Sequence, residues 1–487
     1  MHTAIATPEI VAAANIPSVI TKELKLATSA GRERIRLSSN FLGMMGFEKG
    51  VKHTVEPLPG TYGMVLNTDV NGSKKVYERR YASRRNNPLE TQIEISSSEI
   101  LRKCLPMGAE RLHFEMRRGQ IIIRPVDNRT FSIRKSIREM YDPRTAFVAL
   151  TGGIDVRCFQ DAGFSIDSIL EYRPQEARDK DTDKTETGAL NCLFNSAPRV
   201  LYNEDIFKVD MDRVRALARE GVPIGCLSLS LQCDDFSSAK ANSLKEKSLR
   251  DGTSSKNMAY PGLRLVEVVR PATVMIENVP AFGSSAQYQM FREILTDWGY
   301  HVKDAIMAAP ENGDLTLRKR FYMVASVFPG FEFPEPEAVS SSLLWPQIER
   351  FLPGCRDVSH TKSLADGLAG GRARLITPAS THSPTIMKSQ MRGAKDSVFL
   401  AMPDGTYRFP SNELLQFLNG IPADMPFGLQ AQDIESEIIG QSISYGMHHR
   451  LCEQIGKHLK AQQQSVSFVR ASQFTAGVQM SLPGLAA

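Results

Sequence analysis

The sequence predicts an α/β architecture, a parallel sheet covered on both faces by helices, preceded by a β-rich N-terminal region. Three features of the chain lead there. From about residue 143, apolar strand-like runs alternate with helical stretches, from TAFVALTGG through VPIGCLSLSL and TVMIENV to RFYMVASVF. Between about 32 and 125 the runs are shorter and partly alternating, as half-buried strands are. Residues 330 to 400 break both patterns, with the proline- and acid-rich FPGFEFPEPEAVSSSLLWP followed by a loop-rich basic stretch.

The length of 487 residues gives room for two to four domains. The expected boundaries are 1–30 without firm pattern and partly disordered, 31–130 a β-rich domain, and 140–329 an α/β core. Beyond these come an irregular lobe at 330–405, helices completing the core at 406–465, and a tail at 466–487. Asn71-Gly72 signals a hairpin, and RLHFEMRRGQIIIRP a second one turning near Gly119. Lys74 to Arg85 holds six basic residues and one acid, interleaved with Tyr77 and Tyr81. A solvated strand face and a phosphate-contacting surface both fit this stretch.

Composition narrows the class of protein. No run of 18 apolar residues occurs, so no membrane span is expected, and the N-terminus lacks the pattern of a signal peptide. The seven cysteines are odd in number and include no CxxC pair, which points to reduced thiols in the cytoplasm and to no metal site. A net charge of +5 permits a nucleic-acid partner without requiring one.

In open α/β sheets, ligands sit at the carboxyl ends of strands, and five strand ends carry suitable residues. Gly152 and Gly153 follow the first strand, where glycine lets the backbone approach a ligand closely. Glu171, at the tip of the next strand, suits ribose hydroxyls. Asp205 and Ile206 would end the third strand, the acid accepting from an exocyclic amine and the Ile packing on a base. The fourth strand delivers Cys233 where polar residues begin, whereas Cys226 falls inside the apolar run and is expected in the core. A nucleophilic thiol needs thiolate character, and Asp234 and Asp235 oppose it unless they point away. Glu277 ends the fifth strand and can act as an acid. Arg318 and Arg320 alternate, so both face one way at the start of a strand, suiting a phosphate or base edge.

The order of these motifs resembles the DNA cytosine-5 methyltransferases over about residues 143 to 460. The match runs through strand-Gly-Gly with a downstream acid, the Asp-Ile pair, Cys233 followed by Phe236-Ser237, Glu277-Asn278-Val279, Arg318-x-Arg320 and the late GQSIS. The resemblance implies a Rossmann-like S-adenosylmethionine-dependent methyltransferase domain, with residues 330 to 405 as target-recognition region. SPTIMKS, at 383 to 389, is similar to a segment found there in some members. By motif, Gly152, Gly153, Glu171, Asp205, Ile206, Gln441 and Ser442 would bind the cofactor, with Gly440 beside them. Cys233 would be the nucleophile, Glu277 would contact ring nitrogen 3, and Arg318 and Arg320 would hold the base. The implied partner is double-stranded DNA, met by a monomeric catalytic domain. A second resemblance, of GRERIRLSSNFLGMMGFEKGVKHTVEPLPG to SymE-like and AbrB-like small β-barrels, implies nucleic-acid binding or dimerisation.

The chain departs from the family pattern. Val148 and Leu150 stand where the family has phenylalanine and glycine. Leu231 and Gln232 replace two prolines before the cysteine, and Asp234 replaces the glutamine after it. Thr316 and Gln441 replace a glutamine and an asparagine. An active but divergent enzyme is therefore expected, with an RNA substrate, an altered donor or base, or a weakened DNA-binding relative as the alternatives.

Overall fold

The computed structural model describes residues 16–29, 31–81, 89–176, 179, 182–237, 240–427 and 431–475, with 464–475 as backbone only. The chain divides into two compact units, Met1–Phe131 and Ser132–Ala487.

The smaller unit is built from short antiparallel strands. One sheet runs in the order Ile20–Lys25, Arg111–Arg117, Gln120–Pro125, Met64–Asn67, Glu56–Pro57. A second runs Ala27–Ser29, Arg32–Ser38, Leu89–Ile95, Tyr77–Arg80. Alternation places Leu112, Phe114 and Met116 inside, where they join Phe47, Leu66 and Ile93 in one core. The hairpin at Gly119 forms as expected, pairing Arg117 with Gln120 across a glycine at φ 74°. Two expectations fail. Residues 20–29 are not patternless, since both of their strands are paired; residues 1–15 and 30 lie outside the described residues. The Asn71-Gly72 hairpin does not form either. Met64–Asn67 pairs with Gln120–Pro125, and Lys74–Lys75 pairs with Lys52–His53. Gly72 is needed there for a different reason, because a side chain would strike the backbone of His53. Of the basic stretch, Lys74, Lys75 and all of Tyr77–Arg80 are exposed, and 82–85 fall outside the described residues.

The larger unit holds a seven-stranded sheet. Its strands are β1 (Thr145–Ala149), β2 (Ser165–Leu170), β3 (Val200–Tyr202), β4 (Cys226–Ser230), β5 (Thr273–Asn278), β6 (His301–Ala308) and β7 (Lys319–Ser326). They lie in the order β3-β2-β1-β4-β5-β7-β6. All neighbouring pairs up to β5 are parallel, and β7 runs antiparallel to both β5 and β6. This is a Rossmann-like α/β sheet, with one reversed strand that period alone did not reveal. Continuously buried strands such as β1 and β4 explain the apolar runs. The order reverses between β1 and β4, which opens a crevice at their carboxyl ends.

Within residues 330–405 the chain is less irregular than expected. Arg356–Asp357, Tyr407–Phe409, Val398–Ala401 and Arg374–Ile376 form a four-stranded sheet around Val358, Leu364, Phe399 and Phe409, and its Tyr407–Phe409 strand falls past residue 405. The tail expected from 466 begins as helix, since Tyr445–Thr475 is continuous; 476–487 lie outside the described residues. Among the described residues, no helix is long and apolar enough to cross a membrane.

The start of that last helix is capped by a residue far away in sequence. Asp314 accepts hydrogen bonds from Ser444 Oγ (2.8 Å), Gly446 N (3.0 Å) and Met447 N (2.8 Å). These satisfy donors that a helix start leaves open. Asp314→Ala is expected to cost about 2 kcal/mol, read as a lower denaturation midpoint of the larger unit, with Asp314→Asn costing less.

Candidate active site

The crevice at the switch point widens into a cleft of about 1890 Å³ inside the larger unit. Gly152, Glu171, Asp205, Ile206, Cys233, Glu277, Arg318, Arg320, Gln441 and Ser442 all line it. Gly153 sits just behind, at the start of the helix Ile154–Asp161 with φ 102°.

The turn after β1 is tightly held. Thr151 Oγ1 accepts from Gly153 N at 2.9 Å, and Asn191 Nδ2 donates to Gly152 O at 2.6 Å. A side chain at Gly153 would meet Asn191 Nδ2 at 2.7 Å, so close approach and positive φ both require glycine. Leu150, where the family has glycine, also takes a positive φ of 64°, a strained state for a bulky residue. Gln441 ends the helix Gln432–Gln441, and its side chain faces the place where a Gly152 Cβ would lie, at 3.9 Å. Gly440 is forced by packing, since a side chain there would strike the backbone of Met387.

Glu171 directly follows β2 and is buried, and its pKa is pushed up to about 8, first by burial and then by Asp155. Asp205 does not end a strand. It lies three residues beyond β3 and turns its own loop, accepting from Phe207 N at 3.0 Å, while Ile206 is buried.

On the other side of the cleft, Arg320 Nε forms an ion pair with Glu277 Oε1 at 2.7 Å. Arg318 precedes β7 and is 2% exposed. It donates to Ile386 O (3.1 Å) and Gln441 O (3.3 Å), while its Nε is buried without a partner. Burial, and then the charge of Arg320, lower its pKa to about 9. Cys233 stands beside both arginines. Burial pushes its thiol up, Arg320 and Arg318 pull it down, and Glu277 and Asp234 push it up again. Cys226 lies in the core, fully buried.

The two acids after Cys233 behave differently. Asp234 is exposed and held by Gln232 Nε2 at 2.7 Å. Asp235 is turned away and buried, accepting from Ser254 Oγ (2.8 Å), Ser255 N (2.8 Å) and Lys240 Nζ (2.6 Å). Asn278 Nδ2 donates to Leu231 O at 3.0 Å, so the thiol's loop is fixed on both sides. Nothing in the local sequence marks Asn191, Asp235 or Ser254 for these roles. Among the described residues, no cluster of His, Cys, Asp or Glu could hold a metal ion. Because Arg320 favours the thiolate and Glu277 opposes it, Arg320→Gln is expected to slow Cys233 alkylation by iodoacetamide and move its pH profile upward, and Glu277→Gln to move it downward.

Residues 200–337 match the family model of the C-5 cytosine-specific DNA methylases. The Type II methyltransferase M.MspI of Moraxella sp. is 24% identical over 211 residues, 42% of this chain. The chain spans about half the length of that curated relative, 50%. Among solved structures, the Entamoeba histolytica methyltransferase EhMeth is similar at TM-score 0.49 and 14% identity, over 65% of this chain and 99% of that one. The S. pombe Dnmt2 methyltransferase is similar at TM-score 0.49 and 16% identity, over 64% and 98%. The segment matched by the family model takes in the turns that bear Asp205, Cys233, Glu277 and both arginines, so the part of the chain that carries these residues is similar to the C-5 cytosine-specific DNA methylases.

Proposed function

We propose that the protein transfers a methyl group from S-adenosyl-L-methionine to carbon 5 of a cytosine in double-stranded DNA, through a covalent adduct on Cys233. The observation that supports this most is the meeting of Cys233, Glu277, Arg318 and Arg320 in one cleft with the glycine turn. The cleft also fits the cofactor, since Gly152 and Gly153 bare the backbone and Glu171, Asp205 and Ile206 lie along the same wall. When bound, the cofactor supplies an electrophilic methyl group on a sulfonium.

The protein's own groups have distinct tasks. Carbon 5 of cytosine is a poor nucleophile until Cys233 adds to carbon 6, which splits one hard step into easier ones. Glu277 faces ring nitrogen 3 and passes a proton to it, which neutralises the negative charge that the thiolate addition builds. Arg320 holds Glu277 in place and favours the thiolate. Arg318, buried with a free Nε, presents a donor to the base. After transfer, the carbon 5 proton passes to solvent, the carbon 5–carbon 6 double bond re-forms, Cys233 leaves as thiolate, and ring nitrogen 3 gives its proton back. A stacked base cannot reach this cleft, so the cytosine must flip out, at a cost of a few kcal/mol. The lobe at 330–405 and the cysteine loop would supply the contacts that meet it. The exposed basic strand Tyr77–Arg80 supports a DNA-contacting role for the smaller unit.

Incubation with DNA and labelled S-adenosylmethionine is expected to yield 5-methylcytosine, and Cys233→Ser to lower the rate by more than about 1000-fold. Competition between DNA and tRNA in the same assay identifies the substrate, and absence of transfer to either would overturn the proposal.

A further inference from the structure

The cofactor side of the cleft contains a buried carboxyl, Asp155, that the proposed reaction leaves unused. Asp155 sits in the first turn of the helix Ile154–Asp161, two residues after Gly153, and is 4% exposed. Its Oδ1 accepts from Val156 N at 3.0 Å. Its Oδ2 is buried with no partner, and so is the Oγ of Ser230 at the end of β4, which stands near enough to bear on it. Both residues line the cleft.

The titratable groups facing Asp155 come from every surrounding element. They are Glu171 after β2, Glu277 on β5, Cys192 on the helix Thr187–Asn195, Cys158 on its own helix and Cys452 on the C-terminal helix. None of these supplies a positive charge. A buried carboxylate among acids and neutral thiols is costly unless something cationic arrives. The geometry indicates where that cation would sit. Asp155 is in electrostatic reach of Glu171, on the proposed ribose side, and of Glu277, on the proposed base side. Between ribose and target base, the donor carries its sulfonium.

We infer that Asp155 is the counter-charge to the donor's sulfonium, so that the site binds the charged donor in preference to its neutral thioether product. The inference rests on the function proposed above. In the free protein, burial first and Glu277 next push Asp155 up to about 7, so much of it is protonated near neutrality. Donor binding then ionises it and releases a proton. When the methyl group passes to carbon 5, the sulfur keeps the bonding electron pair and becomes neutral. Asp155 then takes a proton back from water, and the product is held less firmly.

Titration calorimetry of the full chain, with S-adenosylmethionine and with S-adenosylhomocysteine in two buffers of different ionisation heat, tests this. The charged donor should release more protons than the thioether, by up to about one per site. Its affinity should rise as pH climbs through about 7, while that of the thioether should not follow. Glu171 faces the ribose of both ligands, so its titration cancels in the comparison. Asp155→Asn should weaken donor binding about ten-fold, spare the thioether and abolish the difference in protons. A second measurement shows that the variant is folded. Ionising buried Asp155 opposes folding, so the ligand-free protein should lose melting temperature as pH rises through about 7, and Asp155→Asn should lose less. Equal proton release for both ligands, or an undiminished donor preference in Asp155→Asn, would overturn the inference. If neither ligand binds, the proposed cofactor itself fails, and the inference falls with it.

Discussion

The register of the central strands is the constraint on which the site depends. β1 pairs in parallel with β4 so that Ala149 lies beside Leu229, and the turns that follow leave the sheet next to one another. One of these turns carries Gly152 and Gly153, the other Cys233. β4 in turn sets Ser230 beside Glu277 on β5, and β5 sets Glu277 opposite Tyr322 on β7. Arg320 lies two residues before Tyr322 and so points to the same face, which lets it close on Glu277 at 2.7 Å. A slip of one residue in either pairing would move these side chains to the opposite face of the sheet. Cysteine, acid and arginine therefore converge through backbone hydrogen bonding, before any direct attraction between their side chains acts.

That convergence places charged groups where water is scarce. Arg318 is buried beside another guanidinium, and Asp155 and Glu171 are buried near each other. Groups in that position shift toward their neutral forms, which is why one arginine falls to about 9 and two acids rise to about 7 and about 8. Elsewhere in the cleft, Arg320 and Glu277 set opposite charges 2.7 Å apart. Asp155 and Glu171 lie on the side of the cleft that Gly152 lines, where the proposed donor would bring a positive charge.

Much of this was legible in the sequence because strand ends follow simple rules. A buried strand reads as an apolar run, and its first polar residue marks the carboxyl edge. That rule pointed to Glu171, Cys233 and Glu277, which the fold brings to the cleft, while Arg318 and Arg320 stood out by their alternation at the start of a strand. It missed residues whose role depends on distant partners. Asp234 and Asp235 are adjacent and chemically alike, yet only Asp235 is buried, because Ser254 and Ser255 lie beneath it. Asp155 reads as an ordinary acid in a first helical turn, and nothing local shows that its carboxyl is enclosed. Asp314 caps a distant helix, its first partner Ser444 lying 130 residues later. Asn71-Gly72 misled for the opposite reason: the glycine answers to close contact with His53, and the dipeptide looks the same in either role.

The loop of Cys233 shows how a departure in sequence can be met by packing. Prolines before the cysteine, as the family resemblance leads one to expect, would stiffen the chain chiefly by narrowing its unfolded states, an effect of about 1 kcal/mol or less. Leu231 and Gln232 give no such restriction. The loop is instead fixed by tertiary contacts. Asn278 holds Leu231 O, Phe236 packs edge-on against Phe282 with ring centres 5.1 Å apart, and Asp235 accepts from a lysine, a serine hydroxyl and a backbone amide. Hydrogen bonds to a charged group contribute about 1.5–3 kcal/mol each, so the buried carboxylate outweighs what the prolines would have supplied. The two devices also differ in kind. A proline acts wherever the chain is, whereas Asp235 acts only while Ser254, Ser255 and Lys240 keep their places. The position of the thiol is therefore tied to the segment 240–255, and a change in that segment reaches Cys233 through one carboxylate.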